Sequence, residues 1–431
     1  MATLTYSNTC FFDFGAIKRL PKALKSLDVT RPMVITDKGL TAAGLAGQIA
    51  EILDEGGIPP TAIFDDTPAN PTESAVTAAA GLVGQSGSDG IVALGGGSPI
   101  DLGKATALMA KSTKPLVDHA GITRGKAPPT LPLIAVPTTA GTGSEVSNGF
   151  IIIVEDGRKL TFVAETFTPD IAICDPELTL GLPAGLTAAT GMDAITHCIE
   201  AVLSPAVNPP AEAIGLDGLV RAVGAGHLIN AVADGGDREA RWQMMMASTQ
   251  GAYAFVKGLG AVHAMSHACG ALPGLSLHHG TLNAVLLPPV LRFNAAAAPD
   301  KMARIAAAMG LGEGKSAAAI ADAVAGLNRG FGLGVSRVVL FGHLAANGGK
   351  CRLDFCVVGQ WWTELAEVGD EAFDHACFLR LLFRHFVDNL IEWSDKRIVE
   401  KLGRQIDSRA QLLFAEGPGG GAEGDIGLSR R

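Results

Sequence analysis

Over residues 30–180, short apolar runs alternate with stretches of helical spacing. The runs PMVIT (32–36), GIVAL (90–94), LIAV (133–136), FIIIV (150–154) and IAIC (171–174) predict buried strands. Four or five consecutive apolar residues between turn residues fit a strand covered on both faces. Near 39–55, 73–84 and 101–111, apolar positions recur every three to four residues and predict helices. Strand–helix alternation predicts an α/β domain with a mostly parallel sheet, whose ligands bind at the strand C-terminal ends.

From about residue 184 the strand pattern stops. Residues 186–204, 208–231 and 237–257 are rich in Ala and Leu at helical spacing and predict an all-helical C-terminal domain. The boundary falls in GLPAGLT (181–187), where Pro183 and two glycines interrupt the chain. The expected division is an α/β domain over 1–183, a helical domain over 184–400 and a flexible Gly-rich tail over 401–431. There is no internal repeat.

Composition narrows the function. At 431 residues, 48% hydrophobic and 18% charged, the chain can bury two or three cores and is not disordered. A net charge of -9 argues against binding nucleic acid without regard to sequence. A mean hydropathy of +0.29 raises the question of a membrane. The longest stretch without Asp, Glu, Lys or Arg lies between Lys257 and Arg292. It carries four histidines and three prolines and makes a poor bilayer span. The N-terminus lacks the basic and apolar regions of a signal peptide. Seven scattered cysteines without a CxxC pair suit a reducing compartment, so a cytoplasmic protein is expected.

Two glycine-rich loops carry the first candidate chemistry. Gly95, Gly96, Gly97 and Ser98 follow the strand GIVAL and open a helix. Glycines let backbone N–H groups approach a ligand, and a helix N-terminus favours anions, so the turn suits a pyrophosphate. An ordinary strand-to-helix turn is the plainer alternative. Pro137–Glu145 (PTTAGTGSE) follows the strand LIAV, and its hydroxyls can donate to phosphate or ribose. Asp37 follows the first predicted strand. It can accept from a ribose 2′-OH and favour NAD over NADP, or simply cap a helix.

A second constellation resembles a metal centre. Asp193 and His197 stand four apart in a helical pattern and share a face. His263 and His267 repeat that spacing, and His278 and His279 follow. One carboxylate with three imidazoles suits Fe(II) or Zn(II) and leaves room for a substrate oxygen. The HAMSH segment (263–267) lacks the Glu that a metalloprotease uses as its base.

Four segments in order, GGGSPIDLGK (95–104), PTTAGTGSEVSN (137–148), LTAATGMDAITHCIEAV (186–202) and GAVHAMSHACGAL…HHGTLNAVLLPPVLRFN (260–294), resemble the iron-containing alcohol dehydrogenases. That family is related to glycerol dehydrogenase and dehydroquinate synthase. The resemblance spans roughly residues 10–330. It implies a dehydroquinate synthase-like fold, with an N-terminal dinucleotide-binding domain, a helical metal-binding domain and a metal between them. Position by position, it implies metal ligands Asp193, His197, His263 and His279, with His278 the alternative to His279. His267 would line the site and relay a proton. Asn70, Gly97, Ser98, Thr138, Thr139 and Lys159 would contact the cofactor. The expected activity is NAD-linked, metal-dependent oxidation of a small alcohol or reduction of its carbonyl partner, by a homodimer or larger homo-oligomer. Hydroxyacid–oxoacid transhydrogenase, polyol dehydrogenase and maleylacetate reductase are alternatives on the same fold.

The resemblance stops near Gly332. Eleven of the 23 aromatic residues fall in the last 101, so residues 333–400 do not match what precedes them. They read as a divergent end or a shifted reading frame. If they could not complete the pocket, the chain would be a poorly active protein that still binds NAD and metal.

Overall fold

The computed structural model describes residues 8–123, 126–270, 277–312, 314–333, 339–347 and 350–358, the last two as backbone only. The strands are β1 (Thr9–Phe12), β2 (Pro32–Ile35), β3 (Ala62–Phe64), β4 (Gly90–Gly95), β5 (Gly121–Ile122), β6 (Leu133–Pro137), β7 (Gly149–Ile153), β8 (Lys159–Val163), β9 (Ile171–Cys174), β10 (Val339–Asn347) and β11 (Lys350–Val358). In the α/β part the helices are α1 (Leu20–Ser26), α2 (Lys38–Ala42), α3 (Leu45–Glu55), α4 (Glu73–Ser86) and α5 (Gly97–Met109).

Six strands form one parallel sheet in the order β1-β9-β6-β4-β2-β3. Side chains alternate between its faces, as the pleat requires. Met33, Ile35, Ile91 and Ala93 pack toward α4 and α5. Val34, Val92, Leu94 and Ile134 pack toward α1 and α3. The chain runs outward from β2 to β3, then crosses back to β4 on the other side of β2. The switch point of the sheet therefore lies between β2 and β4, where α/β folds open a crevice at the strand C-termini.

The run FIIIV is not in that sheet. It forms β7, which pairs antiparallel with β8 in a separate three-stranded sheet. Phe150 and Ile152 are buried while their neighbours are half-buried, so the strand has one covered face. A turn at Asp156 and Gly157 closes the hairpin, with Gly157 at φ 85°.

From Ala184 onward come α6 (Ala184–Leu203), α7 (Pro209–Leu219), α8 (His227–Ala233), α9 (Arg238–Phe255), α10 (Ala261–Gly270), α11 (His279–Asn294), α12 (Pro299–Ala308) and α13 (Ala317–Gly330). The stretch of helical spacing over 208–231 forms α7 and α8, with a π-turn at Val220–Gly224 between them. Helix α6 is the axis of this part, with every residue from Thr187 to Val202 buried. Its apolar side chains join Leu219, Met244, Leu287 and Ile320 in one core. Fully burying an aliphatic side chain of this size contributes about 1.5–3 kcal/mol.

Lys257 closes the C-terminal end of α6. Its Nζ donates to the carbonyls of Ala201, Val202 and Ser204 and pairs with Glu212 at 2.9 Å. A cation among the last carbonyls of a helix satisfies acceptors the helix cannot. The described part of the uncharged stretch after Lys257 forms α10 and the greater part of α11. Among the described residues, no helix is long and apolar enough to cross a membrane. An antiparallel hairpin, β10 with β11, follows the helices and falls in the atypical segment. The remainder of that segment and the tail over 401–431 lie outside the described residues.

Candidate active site

The dinucleotide-type residues gather at the sheet switch point. Gly95 ends β4, Gly96 precedes α5 and Ser98 lies in its first turn. Thr138 N–H donates to Gly95 O at 3.0 Å, joining the two glycine-rich loops across the β4–β6 register. Ser98 Oγ donates to Ala69 O at 2.6 Å, and Lys159 Nζ donates to Asn70 Oδ1 at 2.9 Å. Those two bonds tie the 69–70 loop to the phosphate-type turn and to β8. Thr139 stands beside Gly96: a Cβ on that glycine would lie 3.2 Å from Thr139 Oγ1.

Asp37 sits after β2 at the same crevice and caps α2, its carboxylate accepting from Leu40 N–H at 3.0 Å. The rest of the first motif is a clamp. Asp101 accepts from Ser144 Oγ at 2.6 Å and Ile151 N–H at 3.0 Å. Lys104, fully buried, donates to Ser147 O and Gly149 O. Helix α5 thereby holds the second motif in register. Its anchoring residues lie one turn or more beyond the glycines.

The imidazole cluster lies where α6, α10 and α11 meet. Asp193, His197 and His263 are buried and offer one ligand atom each within 4.8 Å of one another. His279 joins them from the first turn of α11. The Nε2 atoms of His197, His263 and His279 lie 3.8, 3.5 and 3.6 Å from Asp193 Oδ1. His278 is exposed just before α11 and is not among them. Gly280 explains the approach of His279. A Cβ there would fall 2.1 Å from Ala189 O, so only glycine lets α11 press against α6 at this point.

Each ring is oriented through its other nitrogen. His197 Nδ1 donates to Gly141 O at 3.2 Å. His263 Nδ1 donates to Glu200 Oε2 at 2.7 Å, and Glu200 also accepts from Val262 N–H. Ser266 Oγ donates to His263 O, so its oxygen can accept from His279 Nδ1 at 3.3 Å. All three Nε2 atoms are thereby turned toward Asp193. This is the arrangement that outer partners impose on metal-ligating histidines. Three imidazoles, one carboxylate and held outer nitrogens fit a divalent cation of the Zn(II) or Fe(II) type. His279 keeps 27% of its side chain exposed, so the cluster is open on that side to a small molecule.

Electrostatics distinguish the members. Burial works to raise the Asp193 carboxyl, but the surrounding imidazoles hold it well below the usual carboxylate range. Burial pushes His197 down to about 4 and His279 down to about 3 against the pull of Asp193. Burial also opposes charge on His263, yet Asp193 and Glu200 together raise it to about 9. A cation would have to displace that proton. His267 is partly exposed, with its ring centroid 4.9 Å from that of His279 and 6.0 Å from that of His263. Burial and the neighbouring imidazoles hold it well below the ordinary histidine range. Lys159 closes the gap between the two halves of the site, because a Cβ on Gly270 at the end of α10 would lie 3.2 Å from its Nζ.

Glu200 and Asn283 belong to this site and were not singled out in the sequence. Glu200 lies seven residues after Asp193 and Asn283 four after His279, so helical spacing placed both on the relevant face.

The chain is similar to known proteins over about three quarters of its length. Residues 7–176 match the family model for iron-containing alcohol dehydrogenase, and residues 187–335 match that for the C-terminal part of the same family. The chain is 52% identical to 4-hydroxybutyrate dehydrogenase of Cupriavidus necator, over 75% of this chain and 85% of the relative. It is 40% identical to 1,3-propanediol dehydrogenase of Klebsiella pneumoniae, over 70% and 78%. A crystal structure of 1,3-propanediol oxidoreductase superposes with TM-score 0.73 at 37% identity, covering 77% of this chain and 88% of that one. Sulfoacetaldehyde reductase from Bifidobacterium kashiwanohense, solved in complex with NAD+, superposes with TM-score 0.70 at 29% identity, over 78% and 88%. These matches define the class as oxidoreductase. The chain belongs to the iron-containing alcohol dehydrogenases.

Proposed function

We propose that the protein catalyses the reversible NAD-linked oxidation of a small primary alcohol, using a divalent metal held by Asp193, His197, His263 and His279. The observation that carries this reading is the convergence of three Nε2 atoms on Asp193 Oδ1 with each Nδ1 already committed. Fe(II) is the first choice of metal and Zn(II) the second. When bound, the metal supplies a Lewis acid for the substrate oxygen and NAD the hydride acceptor.

The chain's own residues do the remaining work. Gly95, Gly96, Gly97 and Ser98, with Thr138 and Thr139, hold the dinucleotide at the switch point, and Asp37 favours its unphosphorylated ribose. Asn70 and Lys159 close the crevice beside them. His267, kept neutral by burial and its neighbours, takes the hydroxyl proton of the alcohol at an imidazole nitrogen. Its ring beside that of His279, 4.9 Å between centroids, supports that role.

The 52% identity to 4-hydroxybutyrate dehydrogenase makes an ω-hydroxy acid the first substrate to try, and the 1,3-propanediol dehydrogenases make a short diol the second. The reading includes a homodimer or larger assembly in the cytoplasm. It divides the chain into a dinucleotide-binding domain over 1–183 and a metal-binding domain from 184. The test is anaerobic purification with metal analysis, followed by NADH oxidation with 4-oxobutanoate, 3-hydroxypropanal and simple aldehydes. A metal-loaded protein that oxidises NADH with none of them defeats the proposal.

A further inference from the structure

Asn283 lies one helical turn after His279 on α11 and is fully buried. Its Nδ2 sits 2.7 Å from Asp193 Oδ1, 3.1 Å from His263 Nε2 and 3.2 Å from His279 Nε2. Asp193 Oδ1 and His279 Nε2 accept the two N–H groups of that amide, and His263 Nε2 lies beside them. The other end of the same amide, Oδ1, is buried without a hydrogen-bond partner among the described residues. An unpaired buried oxygen is costly. The orientation is held because the buried Asp193 carboxylate needs a donor, and a bond to a charged acceptor is the stronger one.

We propose that Asn283 is a placeholder for the cation. Its N–H group fills the point on which the ligands converge in the metal-free protein and must turn away when a divalent metal loads. The inference rests on the reading of this cluster as a metal centre. The positive end of the amide and a cation cannot share one position, since both seek the same lone pairs. Loading must therefore break the bonds from Nδ2 to Asp193 and His279. The residue stabilises the metal-free fold and, by the same amount, weakens the apparent metal affinity. Cα of Asn283 stays on a rigid helix one turn from a ligand, so only the side chain needs to move.

The experiment compares wild-type protein with Asn283→Ala and Asn283→Ser. Both side chains are too short to reach Asp193. Each protein is stripped of metal, its melting temperature is measured, and Zn(II) is titrated back against a chelator of known affinity. The variants should melt several degrees lower without metal, bind Zn(II) about tenfold more tightly (about 1.4 kcal/mol) and show the larger metal-induced rise in melting temperature. Weaker binding by the variants would make Asn283 a ligand and overturn the proposal, as would unchanged binding. If wild-type protein itself takes up neither Zn(II) nor Fe(II), the metal centre fails and the placeholder with it. If wild-type binds and the variants match it, only the placeholder fails. Variants soluble with Zn(II) present but not without it support the proposal; variants insoluble under both conditions count against it.

Discussion

Glu200 and His263 form a pair that reaches across two helices of the helical part. The carboxylate accepts the Nδ1 proton of the imidazole at 2.7 Å and, through its other oxygen, the N–H of Val262 at 2.7 Å. One side chain from α6 therefore fixes both the ring and the first turn of α10. Glu200→Gln should keep the fold, lose the charge on the partner of His263 and lower metal affinity about 10–100-fold. Chelator competition measures it. An affinity equal to wild type would remove Glu200 from the site.

The two adjacent histidines at the start of α11 should behave in opposite ways. His279 faces Asp193, whereas His278 is exposed. His279→Ala should lose bound metal and activity together, and His278→Ala should keep both. Metal analysis of the two purified proteins decides between them, and the reverse pattern would show that the neighbours exchange places.

Asp37 serves as a helix cap whatever else it does. Asp37→Ser keeps a side-chain oxygen for the cap and removes the charge that repels a 2′-phosphate. It should raise kcat/KM with NADP relative to NAD while stability changes by less than the ~1 kcal/mol typical of a lost cap. An unchanged cofactor ratio would leave Asp37 with the cap alone.

Gly97 lies against the second motif. A Cβ there would fall 2.9 Å from Thr142 Cγ2, too close without displacing the loop. Gly97→Ala should raise KM for NAD with little change in metal content, since the disturbance is at the switch point and not in the imidazole cluster. Loss of metal on this substitution would mean that the loop shift travels as far as His197.

Glu145 and Lys104 should give stability a minimum just above neutral pH. Burial pushes the Glu145 carboxyl up from 4.5 to about 7 and the Lys104 ammonium down from 10.5 to about 8. Between pH 4.5 and 7 the folded protein holds a proton on Glu145 that the unfolded chain has lost, so stability falls as pH rises. Between pH 8 and 10.5 the unfolded chain holds a proton on Lys104 that the folded protein has lost, so stability recovers. Glu145→Gln removes the first limb. It should be more stable to unfolding than wild type at pH 8, by up to about 3 kcal/mol, with the difference closing at pH 5. A pH-independent difference would refute this origin.

Much of the fold was readable because apolar runs met distinct punctuation. GIVAL followed by three glycines forms β4 and the start of α5, and Asp193 with His197 falls on one face of α6. The run FIIIV forms a strand as expected, but it lies outside the parallel sheet. Residues 156 and 157, an Asp-Gly pair, carried the signal for a hairpin with β8. Expected helix 39–55 divides at Gly44, whose φ of 83° no continuous helix accommodates. Helical spacing made Asp193 with His197, and His263, legible; the choice of His279 over His267 and His278 came from the family resemblance alone. The groups that aim these residues were not legible, for two reasons. Glu200 and Asn283 share helical faces with Asp193 and His279, but a single Glu or Asn on such a face carries no metal-ligand pattern of its own. The acceptor for His197 is a backbone carbonyl 56 residues away, and a backbone atom leaves no mark in a sequence.

That carbonyl has a consequence for how the protein fills. Gly141 belongs to the loop whose Thr138 and Thr139 stand at the dinucleotide crevice, and its oxygen holds the ring of His197. One short peptide segment thus joins the proposed dinucleotide site to the proposed metal site. Whatever factor the dinucleotide imposes on the affinity for metal, the metal must impose on the affinity for dinucleotide, because the two binding equilibria share a cycle.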